Sequence, residues 1–200
     1  GAEALLRRLA RVPYDGHVFF SKRLLDLHRG MGREGLFLPF GVDLDLFNPR
    51  TPTPRYQHEV AYVGNDIKGL ERSNRYLFPA ADFDLGLYGN WKRPSRRRAF
   101  WRNWLPRSPY QVEFERRSRG KIAQEDVPIL YSSAAINLNC SAQACVDWDV
   151  ITLRTFEVLA CRGFLITDRV PSAEELLGDG VVFTSGGDDL RDKIRHYLDR

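Results

Sequence analysis

Apolar and polar positions switch between two periods along most of this chain. From residue 58 onward the switching is regular. Glu59–Val63 (EVAYV) is a short run of β-favouring residues that stops at Gly64-Asn65, and it predicts a strand. Helical spacing follows over Leu70–Ala81. Phe83–Tyr88 (FDLGLY) predicts a second strand that stops at Gly89-Asn90. Gly120–Ala123 reads as a short strand, and Glu125–Ser133 as a helix with Pro128 near its first turn. Ala135–Leu138 is a further strand, and a loop runs from there to Asp149. Ser172–Leu177 predicts a helix, Val181–Phe183 a strand, and Asp188–Asp199 a last helix with Leu190, Ile194 and Tyr197 on one face. Strands alternating with helices predict an α/β fold, a Rossmann-like parallel sheet with helices on both faces. Such sheets take their ligands at the carboxyl ends of the strands. Gly64-Asn65, Gly89-Asn90 and Asn139 all fall at such ends.

Upstream, the pattern predicts a helix over Ala2–Arg11, a strand over His17–Ser21, a helix over Lys22–Arg29 and a strand over Leu36–Phe40. Pro49, Pro52 and Pro54 then stiffen the chain and exclude a helix or central strand. These residues divide the chain into the tail of an earlier domain (1–50), a linker (51–57) and a second domain (58–200).

The densest chemistry lies in Asp149–Asp168, DVITLRTFEVLACRGFLITD. Thr152 is placed as a helix N-cap whose hydroxyl takes an orphan amide. Leu153, Phe156, Leu159 and Ala160 recur at helical spacing, Gly163 ends the helix, and Phe164–Thr167 is an apolar strand covered on both faces. Arg154 sits in the first turn, where the helix dipole disfavours a cation. An anion bound at the free amides would reverse that cost. Glu157, one turn on, can accept hydrogen bonds from hydroxyls. Phosphate plus hydroxyls describes a nucleotide or a sugar nucleotide. The plain alternative is an Arg and a Glu on a solvated edge.

Composition narrows the picture. At 200 residues and 43% hydrophobic the chain holds a real core. No run approaches the ~20 apolar residues of a transmembrane helix. The start is a basic amphipathic stretch and not a secretory signal, and it reads as the middle of a longer protein. Cys140, Cys145 and Cys161 contain no CxxC pair and read as reduced thiols of a cytoplasmic protein. The four histidines (17, 28, 58, 196) are too scattered for a zinc site. Neither GxGxxG nor a P-loop is present. Three DxD matches, at 43–45, 82–84 and 147–149, show how weak that pattern is, and no bound metal is expected. Net charge is +4, but residues 91–121 carry eleven Lys/Arg against Glu113 and Glu115. This local basicity has three readings. It is a solvated insertion, or a surface that rests on an anionic membrane through residues 91–107, with Trp91, Phe100, Trp101 and Trp104 suited to the interface. The third, nucleic-acid binding, is disfavoured because the surrounding fold offers a small-molecule cleft.

VAYVGN (60–65), LGLYGNW (85–91), EDVPILYSSAAINLN (125–139) and ITLRTFEVLACRGFLITD (151–168) together resemble the glycosyltransferases related to spore maturation protein B, the CgeB-like family of two-domain GT-B architecture. The resemblance covers roughly residues 17–198, with FLPFGVDLDLF (37–47) similar to the end of the amino-terminal domain and DDLRDKIRHYL (188–198) to the closing helix. It implies that 58–200 binds a nucleotide-sugar, the donor substrate, with no separate cofactor. Glu157 then binds the ribose hydroxyls, and amides near Thr152 and Arg154 hold the diphosphate. Gly64-Asn65 lies beside the diphosphate, and Tyr88, Gly89, Val127 and Tyr131 border the base. Asp149 stands where related retaining enzymes carry a longer acid. Position alone adds Asn139, at a strand end, and Arg72 and Arg75, which follow the first strand within reach of phosphate, with a solvated helix face as the plain alternative. Arg154 is the catalytic candidate, stabilising charge on the leaving diphosphate. Arg162 departs from the family, which commonly has Gly there. The acceptor is unknown, and a general base would come from the amino-terminal domain, so this chain is expected to bind donor and turn over poorly. Two competing classes stay open: a non-catalytic nucleotide-sugar-binding module, and a basic adaptor for a membrane or nucleic-acid surface.

Overall fold

The computed structural model describes residues 2–9, 11–92 and 107–200. A small unit comes first: helix α1 (Ala2–Leu9), strand β1 (Val18–Phe19), helix α2 (Lys22–Gly30) and strand β2 (Leu36–Phe37). β1 and β2 pair in parallel, with α2 as the crossover. Ser21 caps α2 by accepting from the Leu24 amide at 3.1 Å. The same residue bridges to Val150, and Arg23 Nη1 donates to the Asp147 carbonyl at 2.8 Å. The small unit thereby grips the loop that leads into the central helix.

The larger unit is a five-stranded parallel sheet of β3 (Val60–Val63), β4 (Leu85–Tyr88), β5 (Ile136–Asn139), β6 (Leu165–Asp168) and β7 (Val182–Thr184), in the order β4-β3-β5-β6-β7. Side chains alternate between its two faces, as the pleat requires. Val60, Tyr62, Leu85, Leu87, Ile136, Leu138 and Ile166 point to one face. There they meet α3 (Leu70–Tyr76), α4 (Pro109–Arg117) and α9 (Asp188–Leu198) through Leu77, Phe114, Leu190 and Ile194. The other face packs α5 (Val127–Ser133) and α7 (Leu153–Ala160) through Leu130, Tyr131 and Val158. α6 (Gln143–Asp147) and α8 (Pro171–Leu177) complete the described helices. This is the parallel α/β architecture expected. Its order reverses between β3 and β5, and an open sheet binds ligands outside the carboxyl ends at such a switch point.

Several local expectations change. Pro79 stops the helix placed over Leu70–Ala81, so α3 ends at Tyr76 and a 3-10 turn takes Phe78–Asp82. Gly120–Ala123 is not a strand, although the Gly120 carbonyl still accepts from the Gly89 amide at 2.8 Å. α6 lies in the expected loop. The stiff proline-rich linker is also anchored to the second domain: Tyr56 is buried at 3% exposure and its hydroxyl donates to Asp126 at 2.9 Å. Phe47, upstream of it, packs on Tyr131 with ring centroids 6.4 Å apart.

The exit of α7 differs from expectation in an instructive way. Its left-handed residue is Arg162, at φ 56, and not Gly163. The Gly163 amide donates to the Val158 carbonyl and the Arg162 amide to that of Leu159, both at 3.0 Å, which is a Schellman motif. Gly163 is needed for close approach: a Cβ there would sit 2.6 Å from the Tyr131 carbonyl oxygen.

Residues 93–106 of the basic segment, including Phe100, Trp101 and Trp104, lie outside the described residues. Trp91 does not suit an interface after all. It is 5% exposed and packs edge-on against Tyr62 and Phe114.

Candidate functional site

The carboxyl ends of β3, β4, β5 and β6 and the amino end of α7 converge at the switch point. The loops after β3 and β4 lie against each other. The Gly64 amide donates to the Tyr88 carbonyl at 2.9 Å, and Asn65 Oδ1 accepts from the Asn90 amide at 2.8 Å. Gly89 has φ 130, and a Cβ on it would collide with the Gly64 carbonyl oxygen. Gly64 meets a similar limit, since a Cβ would sit 2.7 Å from the Tyr62 hydroxyl. Both glycines let backbone and ring crowd together at the crevice.

Asn139, at 3% exposure, is the hub beneath the start of α7. Its Oδ1 accepts from Arg154 Nη1 at 2.9 Å and from the Thr152 hydroxyl at 3.2 Å. Its Nδ2 donates to the hydroxyls of Thr167 and Thr155 at 3.0 and 3.4 Å. Arg154 lies 5.0 Å over the Tyr62 ring. Burial pulls its basicity down, but Tyr62, Tyr131 and Glu157 outweigh that pull, so it stays charged. Arg154 Nε and the Tyr62 hydroxyl are buried without a hydrogen-bond partner. Buried polar atoms are normally paired, so both atoms are free to take a partner from outside the chain, water or ligand. Burial pushes Tyr62 up to about 12, despite the opposing charge of Arg154.

Lys68 joins this point from the loop before α3. Burial and then Arg154 lower its pKa, while Cys140, Cys145 and Asp168 oppose them. Lys68 thus feels the charge of Arg154, and neither cation has a carboxylate ion pair among the described residues. The sequence signal for Lys68 was its place four residues after Gly64, in a loop that must pass the switch point. Tyr62 was visible only as a strand residue. Glu157 is half-exposed, one turn along α7. Burial raises its pKa, opposed by Arg154 and by a hydrogen bond with Tyr131.

The other expected donor residues divide. Thr152 is the N-cap of α7, but its hydroxyl goes to Asn139 and not to a helix amide. Arg72 does not reach out for phosphate. Its guanidinium pairs with Asp168, donates to the Ser141 carbonyl at 2.6 Å and to Gln143 Oε1 at 3.1 Å, and so braces the ends of β5 and β6. Asn139 has all its hydrogen-bonding capacity committed inside the protein, so it supports the site from beneath. Tyr88 lies back along the sheet, its hydroxyl 3.2 Å from His58 Nε2, and does not present that hydroxyl to a ligand. Val127 and Tyr131 are buried in the α5–α7 face, with Tyr131 beside Arg154 and Glu157. Asp149, at φ 53, caps α8 by accepting from the Ser172 amide at 2.8 Å, which leaves one oxygen uncommitted.

A glycosyl transferase-like family model matches residues 72–200, and the chain belongs to that family. Among curated proteins none matches. Solved structures share the fold, that of GT-B glycosyltransferases. Sucrose-phosphate synthase from Thermosynechococcus elongatus superposes with a TM-score of 0.62 at 17% identity, over 98% of this chain and 51% of that one. Anabaena HepE, solved with UDP-glucose, gives 0.59 at 13% identity over 100% and 58%. T4 phage BGT, solved with its UDP-glucose substrate, gives 0.55 at 17% identity over 88% and 50%. The chain therefore spans about half the length of these structures.

Proposed function

We propose that residues 58–200 are the donor-binding half of a glycosyltransferase of the CgeB-like type, which moves a sugar from a nucleoside diphosphate to an acceptor. One observation carries the reading. At the start of α7 Arg154 is tethered to Asn139 and lies over the Tyr62 ring, with its Nε and the Tyr62 hydroxyl both unpartnered, one helical turn from Glu157 and near enough to Lys68 for their charges to interact. Two cations and two unmatched polar atoms suit a diphosphate, and a half-exposed carboxylate suits a ribose diol.

In this reading Arg154, Lys68 and the first amides of α7 hold the diphosphate. Charge grows on the diphosphate as the bond to the anomeric carbon stretches. Fixed cations and a helix amino end favour that charge with little reorganisation. Glu157 accepts from the ribose hydroxyls and sets how deeply the nucleotide seats. UDP-glucose is the first donor to test, because HepE and T4 phage BGT were solved with it. The two cations do the work that a metal does elsewhere. T4 phage BGT has also been solved with UDP and Mn2+, so the binding of UDP is compared with and without EDTA.

The test is a thermal-shift screen of nucleoside diphosphates and their sugars. At ~100 times its dissociation constant, a ligand that binds only the folded state stabilises by about 2.7 kcal/mol. For a chain of this length that is a rise of roughly 5–10 °C. Glu157→Ala is expected to fold cooperatively and to lose the rise. A full response in the variant would remove Glu157 from the site, and no response of the wild type to any nucleotide would overturn the reading.

A further inference from the structure

Asn139 does more than fill a buried position. Arg154 has only donors, so the amide atom that faces it must be the carbonyl oxygen, and this settles the orientation of the whole side chain. The Thr152 hydroxyl donates to the same oxygen, while the Thr155 and Thr167 hydroxyls accept from the amide nitrogen. All four contacts are thus used in one orientation only. Nη1 of Arg154 is tethered, the guanidinium rests on the Tyr62 ring, and Nε is left without a partner.

The charge of the tether matters as much as its geometry. A carboxylate is the commonest partner of a buried arginine, and it would neutralise the cation. The nearby carboxylate that could do so, Asp168, is taken by Arg72. Asp66, in the loop after β3, is held by the Tyr110 hydroxyl at 2.9 Å and by Gln111 at 3.4 Å. Glu157 is the remaining acid near Arg154; it acts on the guanidinium through space and makes no hydrogen bond or ion pair with it. A neutral amide therefore aims Arg154 without consuming its charge.

We infer that Asn139 is a positioning residue that keeps Arg154 aimed and electrostatically unsatisfied, so that the site selects the diphosphate of its ligand by charge. The inference rests on the donor-site reading above and specifies how that site discriminates. It implies that a single nitrogen-to-oxygen exchange disables diphosphate binding while leaving the fold intact. The exchange is sterically neutral. The Thr155 hydroxyl can turn from acceptor to donor toward the new oxygen, and that of Thr167 can do so by leaving its longer bonds to Asp168 at 3.3 and 3.4 Å.

The experiment compares wild type and Asn139→Asp by calorimetric titration with UDP, inorganic pyrophosphate and uridine. The expected result is at least tenfold weaker binding of UDP and pyrophosphate by N139D, with uridine unchanged within twofold. In an Arg154→Gln background, Asn139→Asp is expected to have no further effect on UDP. Equal loss for uridine and UDP, or no loss for UDP, overturns the inference while leaving the donor site standing. If wild type binds neither UDP nor pyrophosphate, the donor site and this inference fall together. Should N139D fail to fold, Thr167→Val removes the 3.0 Å anchor of the amide and is expected to weaken pyrophosphate at least threefold. Unchanged affinity there overturns the inference equally.

Discussion

Arg154→Gln is the substitution that isolates charge from shape. Glutamine keeps good helix propensity in α7, retains a polar end and removes the cation. In the wild type the guanidinium is tethered to Asn139 at 2.9 Å and lies 5.0 Å over the Tyr62 ring, so it is already in place before ligand arrives. Little ordering entropy is left to lose on binding. A hydrogen bond to a charged group contributes about 1.5–3 kcal/mol. Two unit charges about 4 Å apart at an effective dielectric near 20 interact by roughly 4 kcal/mol. Desolvation of the phosphate takes back part of this, which leaves about 3 kcal/mol. That is a weakening of UDP on the order of 100-fold. Uridine, without phosphate, is expected to bind both forms alike. Titration calorimetry at two salt concentrations reads both ligands. The unliganded variant is expected to melt within a few degrees of wild type, because loss of the orphaned Nε and of repulsion with Lys68 offsets loss of the Asn139 tether. A change in UDP affinity below threefold, or an equal fall for uridine, would refute the assignment of Arg154 to the diphosphate.

Three further outcomes follow from the same geometry. Gly89→Ala places a methyl against the Gly64 carbonyl at a φ that L-residues avoid, so it is expected to lower stability by about 2 kcal/mol or more and to weaken UDP through the displaced β3 loop; a melting point within a degree of wild type would contradict this. Arg162→Gly relieves a left-handed residue at the α7 exit and is expected to stabilise by about 1 kcal/mol, a rise of roughly 2–4 °C by calorimetry, without changing UDP affinity. Glu157 has a raised folded pKa, so its ionisation disfavours the fold: that destabilisation is absent below pH 4.5, the ordinary value, and complete above the raised one. Glu157→Gln is therefore expected to raise the melting point at pH 7 while weakening UDP, and wild-type UDP affinity should begin to fall at a pH above 4.5 as the carboxylate takes its proton. Calorimetry from pH 4.5 to 7.5 checks both.

The architecture was legible because its signals are local. Val60–Val63, Leu85–Tyr88, Ile136–Asn139 and Leu165–Asp168 are apolar runs that end in Gly, Asn or Asp, and each end falls at the carboxyl edge of the sheet. Arg154 and Glu157 stood out because charges interrupt an apolar helix. What sequence could not display was who partners whom across the sheet. Arg72 looked free, yet Asp168, ninety-six residues away, holds it. Asn139 looked like a ligand, yet its bonds run to Thr152, Arg154 and Thr155 at the start of α7 and to Thr167 on β6. Lys68 escaped notice because nothing in a GNDIKG loop distinguishes a solvated lysine from one folded over the switch point. Tyr88 was placed by the family resemblance, and its side chain direction depends on Gly86, whose missing Cβ makes room for the His58 ring. Such pairings are properties of the tertiary fold and carry no periodic signature.

The central claim is that the crevice at the β3–β5 switch point holds a pyrophosphate-linked ribose. A crystal structure of the chain soaked with UDP tests it most directly. The account predicts the diphosphate between Lys68, Arg154 and the first amides of α7, with the ribose hydroxyls on Glu157. A nucleotide seated elsewhere, for instance along residues 91–107, with Arg154 Nε still unpartnered and Glu157 untouched, would contradict it.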